Sequence, residues 1–176
     1  MTTTQIESVT VENWQSVDYR ALIQSGNVEA WNNWRDSQQN KGPEFLVDLK
    51  GINLAGMALR GANLQCVDMS DANLEGANLR KADLWLADLS NANLTNANLT
   101  ATDLSHAILV GVDAHGADLR GACLKGTDLT NADFTKANFD GVTWDENLKT
   151  SGLILDDAEL AIDANRNEFP HKRTRF

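Results

Sequence analysis
Cysteine is scarce in this sequence, with 2 in 176 residues, too few for a disulfide-stapled scaffold. Positive charge is also in short supply. The 15 Lys and Arg face 25 Asp and Glu, which gives a net charge of −10 and a pI near 4.6. A phosphate-binding surface needs a basic footprint, so direct nucleic-acid binding is not expected. No apolar run approaches the ~18 residues that mark a membrane span, and no membrane association is expected. The opening stretch MTTTQIESVTVENW has no basic segment followed by an apolar one, so it does not read as a secretory signal. A cytoplasmic protein is the expectation. The length suits one domain and is marginal for two.

What the chain has in abundance is self-similarity, which takes precedence over helix and strand patterns. From Val47 onward an apolar or small residue recurs every fifth position, with a larger apolar one two residues after it. The larger series runs from Leu49 to Trp144 in 20 consecutive members, 15 of them Leu. The smaller series runs from Val47 to Val142, and 12 of its 20 members are Ala. Asn or Asp stands just before the large residue in 16 of 20 units.

A period of five fits neither an α-helix nor a flat strand. It requires a chain that points two of every five residues inward and the other three outward. Four such segments close a square turn of about 20 residues, and stacking sets residue i under i+20 at the ~4.8 Å strand spacing. Residues 47–146 then form about five turns, roughly 24 Å tall. Leu fills the centre and Ala lets the sides close. Asn and Asp suit tight turns because their side chains bond local backbone, and they can also ladder between turns. Gly takes nine of the 20 last positions of the unit, where positive φ is needed. A one-residue slip would bury Asn and Asp and expose Leu, so the register is locked.

The runs Ala72-Asn73-Leu74-Glu75-Gly76, Ala77-Asn78-Leu79-Arg80-Lys81 and Ala92-Asn93-Leu94-Thr95-Asn96 resemble the A-(D/N)-L-x-x unit of the pentapeptide-repeat proteins. The resemblance implies an all-β solenoid, a right-handed four-sided parallel β-helix. It also implies action by binding other proteins, as characterised members do. Some members with extra helical caps resemble regulators of cell differentiation in cyanobacteria, and others bind type II topoisomerases through a DNA-like rod.

A solenoid exposes its core at both ends and needs caps. Residues 1–46 break the repeat and are expected to form a helical N-terminal cap. Ser16 is placed to cap a helix over 17–25 that Gly26 stops, and Asn27 a second over 28–38. Val28, Trp31 and Trp34 or Arg35 then share a face. The repeat is expected to fail at Lys149. Residues 147–176 are expected to hold a short helix near 157–165, with Asp156 and Glu159 at its start, and a basic tail from Pro170 to Arg175.

No catalytic, cofactor or metal site is read. Asp103, Ser105 and His106 have the residue types of a nucleophilic triad, but a solenoid side is flat or convex and offers no pocket. His106 and His115 fall two sides apart, and no metal-ligand spacing occurs. Cys66 and Cys123 are three turns apart, about 14 Å, which is beyond disulfide reach.

Charge sorts by side. The side centred on Leu49 is net −4, the next −2, the third +2 and the fourth −3, for a total of −7. Over ~24 Å that is one charge per ~3.4 Å, half the density of duplex DNA. This weighs against a DNA mimic that binds a type II topoisomerase, which stays as the alternative. The preferred reading is a non-enzymatic scaffold for an unidentified protein partner, with a homo-oligomer left open. Outward positions are almost all polar, Gly or Ala, and Asp83-Leu84-Trp85-Leu86 breaks that rule. Cys66 lies one turn below Leu86 and His106 one turn above, while Ile108 and Val110 follow round the corner. Trp85, Leu86, Ile108 and Val110 are the candidate interaction patch, with Cys66 and His106 beside it. The competing expectation is that the 147–156 segment or the N-terminal helices fold over Trp85.

Overall fold
The computed structural model describes residues 17–38 and 47–158. From Val47 the chain forms a parallel solenoid. Strands β1 (Val47–Asp48) and β2 (Val67–Asp68) pair as Val47↔Val67 and Asp48↔Asp68. Single-residue bridges carry the same 20-residue offset onward, as in Asn53↔Asn73, Ala58↔Asn78 and Asn63↔Asp83. Each unit contributes the same bonds. Leu54 N donates to Asn73 O at 2.8 Å, Gly56 N to Glu75 O at 2.8 Å, and Asn73 N to Ile52 O at 2.9 Å. Regular pairing in single residues explains why extended strands are so short.

The inward residues are those the period selects. Leu54, Leu59, Leu64, Leu74 and Leu79 are fully buried, as are Ala62, Ala77 and Ala87. Leucines stack on leucines, which removes their side chains from water at about 2 kcal/mol each. Two units put Thr at the Ala position. Thr102 and Thr127 are buried, and their hydroxyls donate to Leu79 O at 2.9 Å and Leu104 O at 2.8 Å. A buried hydroxyl is tolerated here because a corner carbonyl is within reach.

The polar position before each Leu resolves one way. In all 16 units with Asn or Asp there, the side-chain Oδ1 accepts from the backbone N–H two residues on. The bond is local and fixes each turn. From residue 51 to 141 every fifth residue adopts positive φ. Glycine does so at little steric cost, as at Gly76, but Lys81, Leu86 and Ala101 do so as well.

The lower end meets two helices, α1 (Tyr19–Gln24) and α2 (Val28–Gln38). The sequence placed the first over 17–25 with Ser16 as its cap. Ser16 lies outside the described residues, and Asp18 does this work, accepting from Ala21 N at 3.0 Å. Asn27 caps α2 as expected from its position, accepting from Ala30 N at 3.0 Å. Trp31 and Trp34 are buried with ring centroids 5.2 Å apart, and Tyr19 stacks on Trp34.

In the solenoid, carbonyls such as Asp68 O accept from the turn beneath. The first turn has no turn beneath it, and helix side chains bond its groups instead. Arg20 donates to Asp48 O and Lys50 O, Gln24 to Asn53 O, Trp31 to Asn63 O and Arg35 to Gln65 O. Asn32 donates to Gly61 O and accepts from Asn63 N.

The upper end departs from expectation. The ladder does not stop at residue 146. Asp128 pairs with Lys149 and Asp133 with Ile154, so the offset is 21 there instead of 20. One extra residue enters near Asp145, and the unit resumes with Leu148 and Leu153 packed on the core. Asp157, expected in a helix, sits at a left-handed corner with φ 55°. Ala158 N then closes the turn onto Leu155 O at 3.2 Å. The rest of the helix expected over 157–165 lies outside the described residues, as does the tail. Among the described residues no helix is long and apolar enough to cross a membrane.

Candidate interaction surface
Three large apolar side chains are exposed among the described residues: Trp85 at 40%, Leu86 at 46% and Ile108 at 41%. Val110 is half-buried. The 147–156 segment and the N-terminal helices, the alternative covers, lie elsewhere. Lys149 and Ile154 extend the ladder, and the helices bond the first turn.

Two of the exposed residues also depart from their local rule. Leu86 occupies a corner at φ 56°, where a leucine is strained and glycine or asparagine is not. Ile108 occupies a position that elsewhere holds Asn or Asp, and it has no oxygen to fix its own turn. Trp85 keeps its backbone bond to Asp83 Oδ1 at 3.1 Å, so its ring leaves a fixed strand end.

The 20-residue stacking gathers these residues round one corner. Cys66 N donates to Trp85 O at 2.9 Å, and Leu86 N to Ser105 O at 3.1 Å, so Cys66, Leu86 and His106 form one column. Leu86 stands two residues before Asp88, and Asp88 pairs directly with Ile108. Leu86 and Ile108 are therefore separated by two residues and one step of ~4.8 Å.

His106 does not turn toward this patch. A Cβ built on Gly126 would collide with its ring, so the imidazole lies across the corner above. There it faces Asp145, whose carboxylate accepts from Gly126 N at 2.9 Å. That bond, with further bonds from the Asn147 backbone and side-chain amides, holds the Asp145 pKa below the usual carboxylate range. Cys66 is half-buried beside α2, where burial lowers the Arg35 pKa against the pull of its neighbours.

Carboxylates frame the apolar patch. Asp48, Asp68, Asp88 and Asp128 share the ladder column of Ile108. Lys149 pairs with Asp128 at 2.9 Å and Arg20 with Asp48 at 3.8 Å. Asp68, Asp83, Asp88 and Asp103 have no ion pair among the described residues.

One polar cluster was not anticipated. Cys123 replaces Asn or Asp in its unit, and its Sγ lies 3.1 Å from Ser105 Oγ. Burial raises the thiol pKa, but bonds from the Ser105 and Thr143 hydroxyls and the Lys125 amide outweigh it and bring the pKa below its ordinary value. Its position in the unit was the available signal, since an acceptor is needed there. Ser105 is thus engaged with Cys123. Cys66 and Cys123 are both free. Among the described residues no group of His, Cys, Asp and Glu is placed to hold a metal ion.

No curated protein matches the chain. A family model described as pentapeptide repeats matches residues 46–80, 72–111, 87–126 and 115–143, more than half of the chain. Among solved structures, a pentapeptide repeat protein from the thylakoid lumen of Arabidopsis thaliana is 34% identical with a TM-score of 0.44, covering 51% of this chain and 66% of its own. This chain therefore spans just under two thirds of that protein. A pentapeptide repeat protein from the cyanobacterium Cyanothece 51142 is 32% identical with a TM-score of 0.44, covering 65% and 84%. One from Nostoc PCC 7120 is 37% identical with a TM-score of 0.37, covering 56% and 84%.

Proposed function
Because the chain belongs to the pentapeptide-repeat family, we propose that it is a non-enzymatic scaffold that binds a protein partner, directly or as a regulator. In this reading the solenoid is right-handed and four-sided, and its ladder runs past residue 146 to Ile154. The N-terminal helices cap its lower end. A rigid rod with regular sides suits presentation of a surface, and its core leaves no room for a substrate.

The observation that carries this reading is the exposed Trp85, Leu86 and Ile108 on a rod whose other large apolar side chains are buried or half-buried among the described residues. Trp is the residue type most enriched among interface hot spots. The test compares wild type with Trp85→Arg as bait in a lysate of the source cell. Loss of one specific captured protein at unchanged Tm supports the reading. A large fall in Tm would mean that Trp85 is part of the packing of the rod itself, and the interface assignment would fall. The topoisomerase reading gains nothing specific from the surface, since one side of the rod is net positive. A supercoiling assay showing inhibition at low micromolar protein would reinstate it.

A further inference from the structure
The patch and its surroundings specify the chemistry of an occupant. An apolar centre of Trp85, Leu86 and Ile108 is framed by Asp68, Asp83, Asp88 and Asp103, none of them ion-paired among the described residues. A matching segment carries aromatic side chains for the centre and cations for the frame. A second copy meeting this face with the same face would set Asp83 and Asp88 against themselves, so the charge opposes a symmetric dimer here.

The chain itself contains a matching segment. Residues 166–176, Arg-Asn-Glu-Phe-Pro-His-Lys-Arg-Thr-Arg-Phe, carry Arg166, Lys172, Arg173 and Arg175 against Glu168, with Phe169 and Phe176. The other stretches outside the described residues do not match. Residues 1–16 have Glu7 and Glu12 and no Lys or Arg, and residues 39–46 have Lys41 against Glu44 and no net positive charge. Reach is sufficient. The described chain leaves at Ala158, less than four turns above Trp85, under ~20 Å along the axis. The 11 residues from there to Phe169 extend to about 36 Å.

We propose that residues 166–176 occupy the Trp85–Leu86–Ile108 face of their own chain, so that a protein partner gains this face by displacing a built-in basic, aromatic segment. The inference rests on the reading of this face as the interaction surface. It gives the partner a chemistry too: the displacing element is itself basic and apolar. The attraction between tail and frame is electrostatic at its rim, so it weakens as the screening length falls from ~10 Å at 0.1 M salt to ~3 Å at 1 M.

The test places p-benzoylphenylalanine at Phe169 in the full chain, irradiates it in 0.1 M NaCl, and maps the cross-links by mass spectrometry. Expected are cross-links within one chain to Trp85, Leu86 or Ile108, falling several-fold in 1 M NaCl. They should fall similarly in Asp83→Asn/Asp88→Asn, which keeps both local turn bonds and so an unchanged Tm. Cross-links elsewhere on the rod, cross-links only between two chains, or a yield that ignores both salt and the double variant would overturn the proposal. If the cross-links miss the face while Trp85→Arg still abolishes capture of a foreign partner, only the tail assignment falls. If both fail, the face is not the interaction surface.

Discussion

Ile108 pairs with Asp88 in the ladder, yet it lacks the oxygen with which Asp88 holds the Ser90 amide at 2.8 Å. Restoring that oxygen separates stability from binding. Ile108→Asn should gain a bond to the Val110 amide and raise stability by about 0.5–1 kcal/mol in urea unfolding. Partner capture should fall in the same variant. A loss of stability would show that Ile108 is part of the packing of the rod itself.

The inward and outward positions should differ sharply. Leu79→Ala and Leu99→Ala each remove a fully buried side chain, at a cost of about 2–5 kcal/mol. Thr95→Ala removes an outward one and should cost within about 0.5 kcal/mol. Equal shifts in the urea midpoint would contradict the register.

The helices at the lower end can be tested through one residue. Asn32 both donates to Gly61 O at 3.0 Å and accepts from Asn63 N at 2.8 Å. Asn32→Ala should cost about 1–2 kcal/mol. Amide exchange of Asn63 should accelerate far more than that of Asn98, whose N–H donates to Ala77 O inside the ladder. Parallel changes at both amides would mean that Asn32 acts on the whole rod.

Corners offer a fourth test. Leu86→Gly should relieve the left-handed backbone and raise Tm, by up to about 1 kcal/mol of stability. Gly76→Ala meets open space, and only its φ of 62° opposes it. Gly126→Ala must also displace the His106 ring, so it should lose clearly more in Tm than Gly76→Ala. Matching losses would place the imidazole elsewhere.

Acid should weaken the fold through specific carboxylates. The Arg120 guanidinium bonded to Asp118 holds its pKa below the usual range. For Asp128, bonds from Thr130 and Lys149 outweigh burial in the same direction. A carboxylate with a depressed folded pKa stabilises fully above its unfolded pKa of about 3.9 and loses that contribution as pH falls through the folded value. Tm should therefore drop as pH goes from 5 to 2, and Asp118→Asn should flatten part of the drop. A Tm that is flat in wild type over that range would rule out this coupling.

Most of the fold was legible because one period governs it. Leu49 through Phe139 are inward as the five-residue spacing requires, and Trp85, Leu86 and Ile108 are exposed where outward positions were assigned. Three things are harder to see. Asn and Asp could bond within a turn or between turns, and only the geometry shows that their Oδ1 atoms take the local amide. The upper end departs from the strict phase of the period. Leu148, Leu153 and Ala158 keep the five-residue spacing one residue out of step, a signal present in the sequence. Ser105 and Cys123 are 18 residues apart, and only stacking shows that they touch.

The change of offset from 20 to 21 between Asp128 and Lys149 has a bearing on how such a chain varies in length. An added residue inside an Ala-Asn-Leu triplet would turn every later side chain inside out. An added residue at a corner lengthens only the bend, and the next triplet restarts with its apolar residues still inward, as Leu148 and Leu153 do. Corners are therefore the places where this architecture accepts insertions, and a loop grafted beside Asp145 and Glu146 would leave the stacks on either side in step.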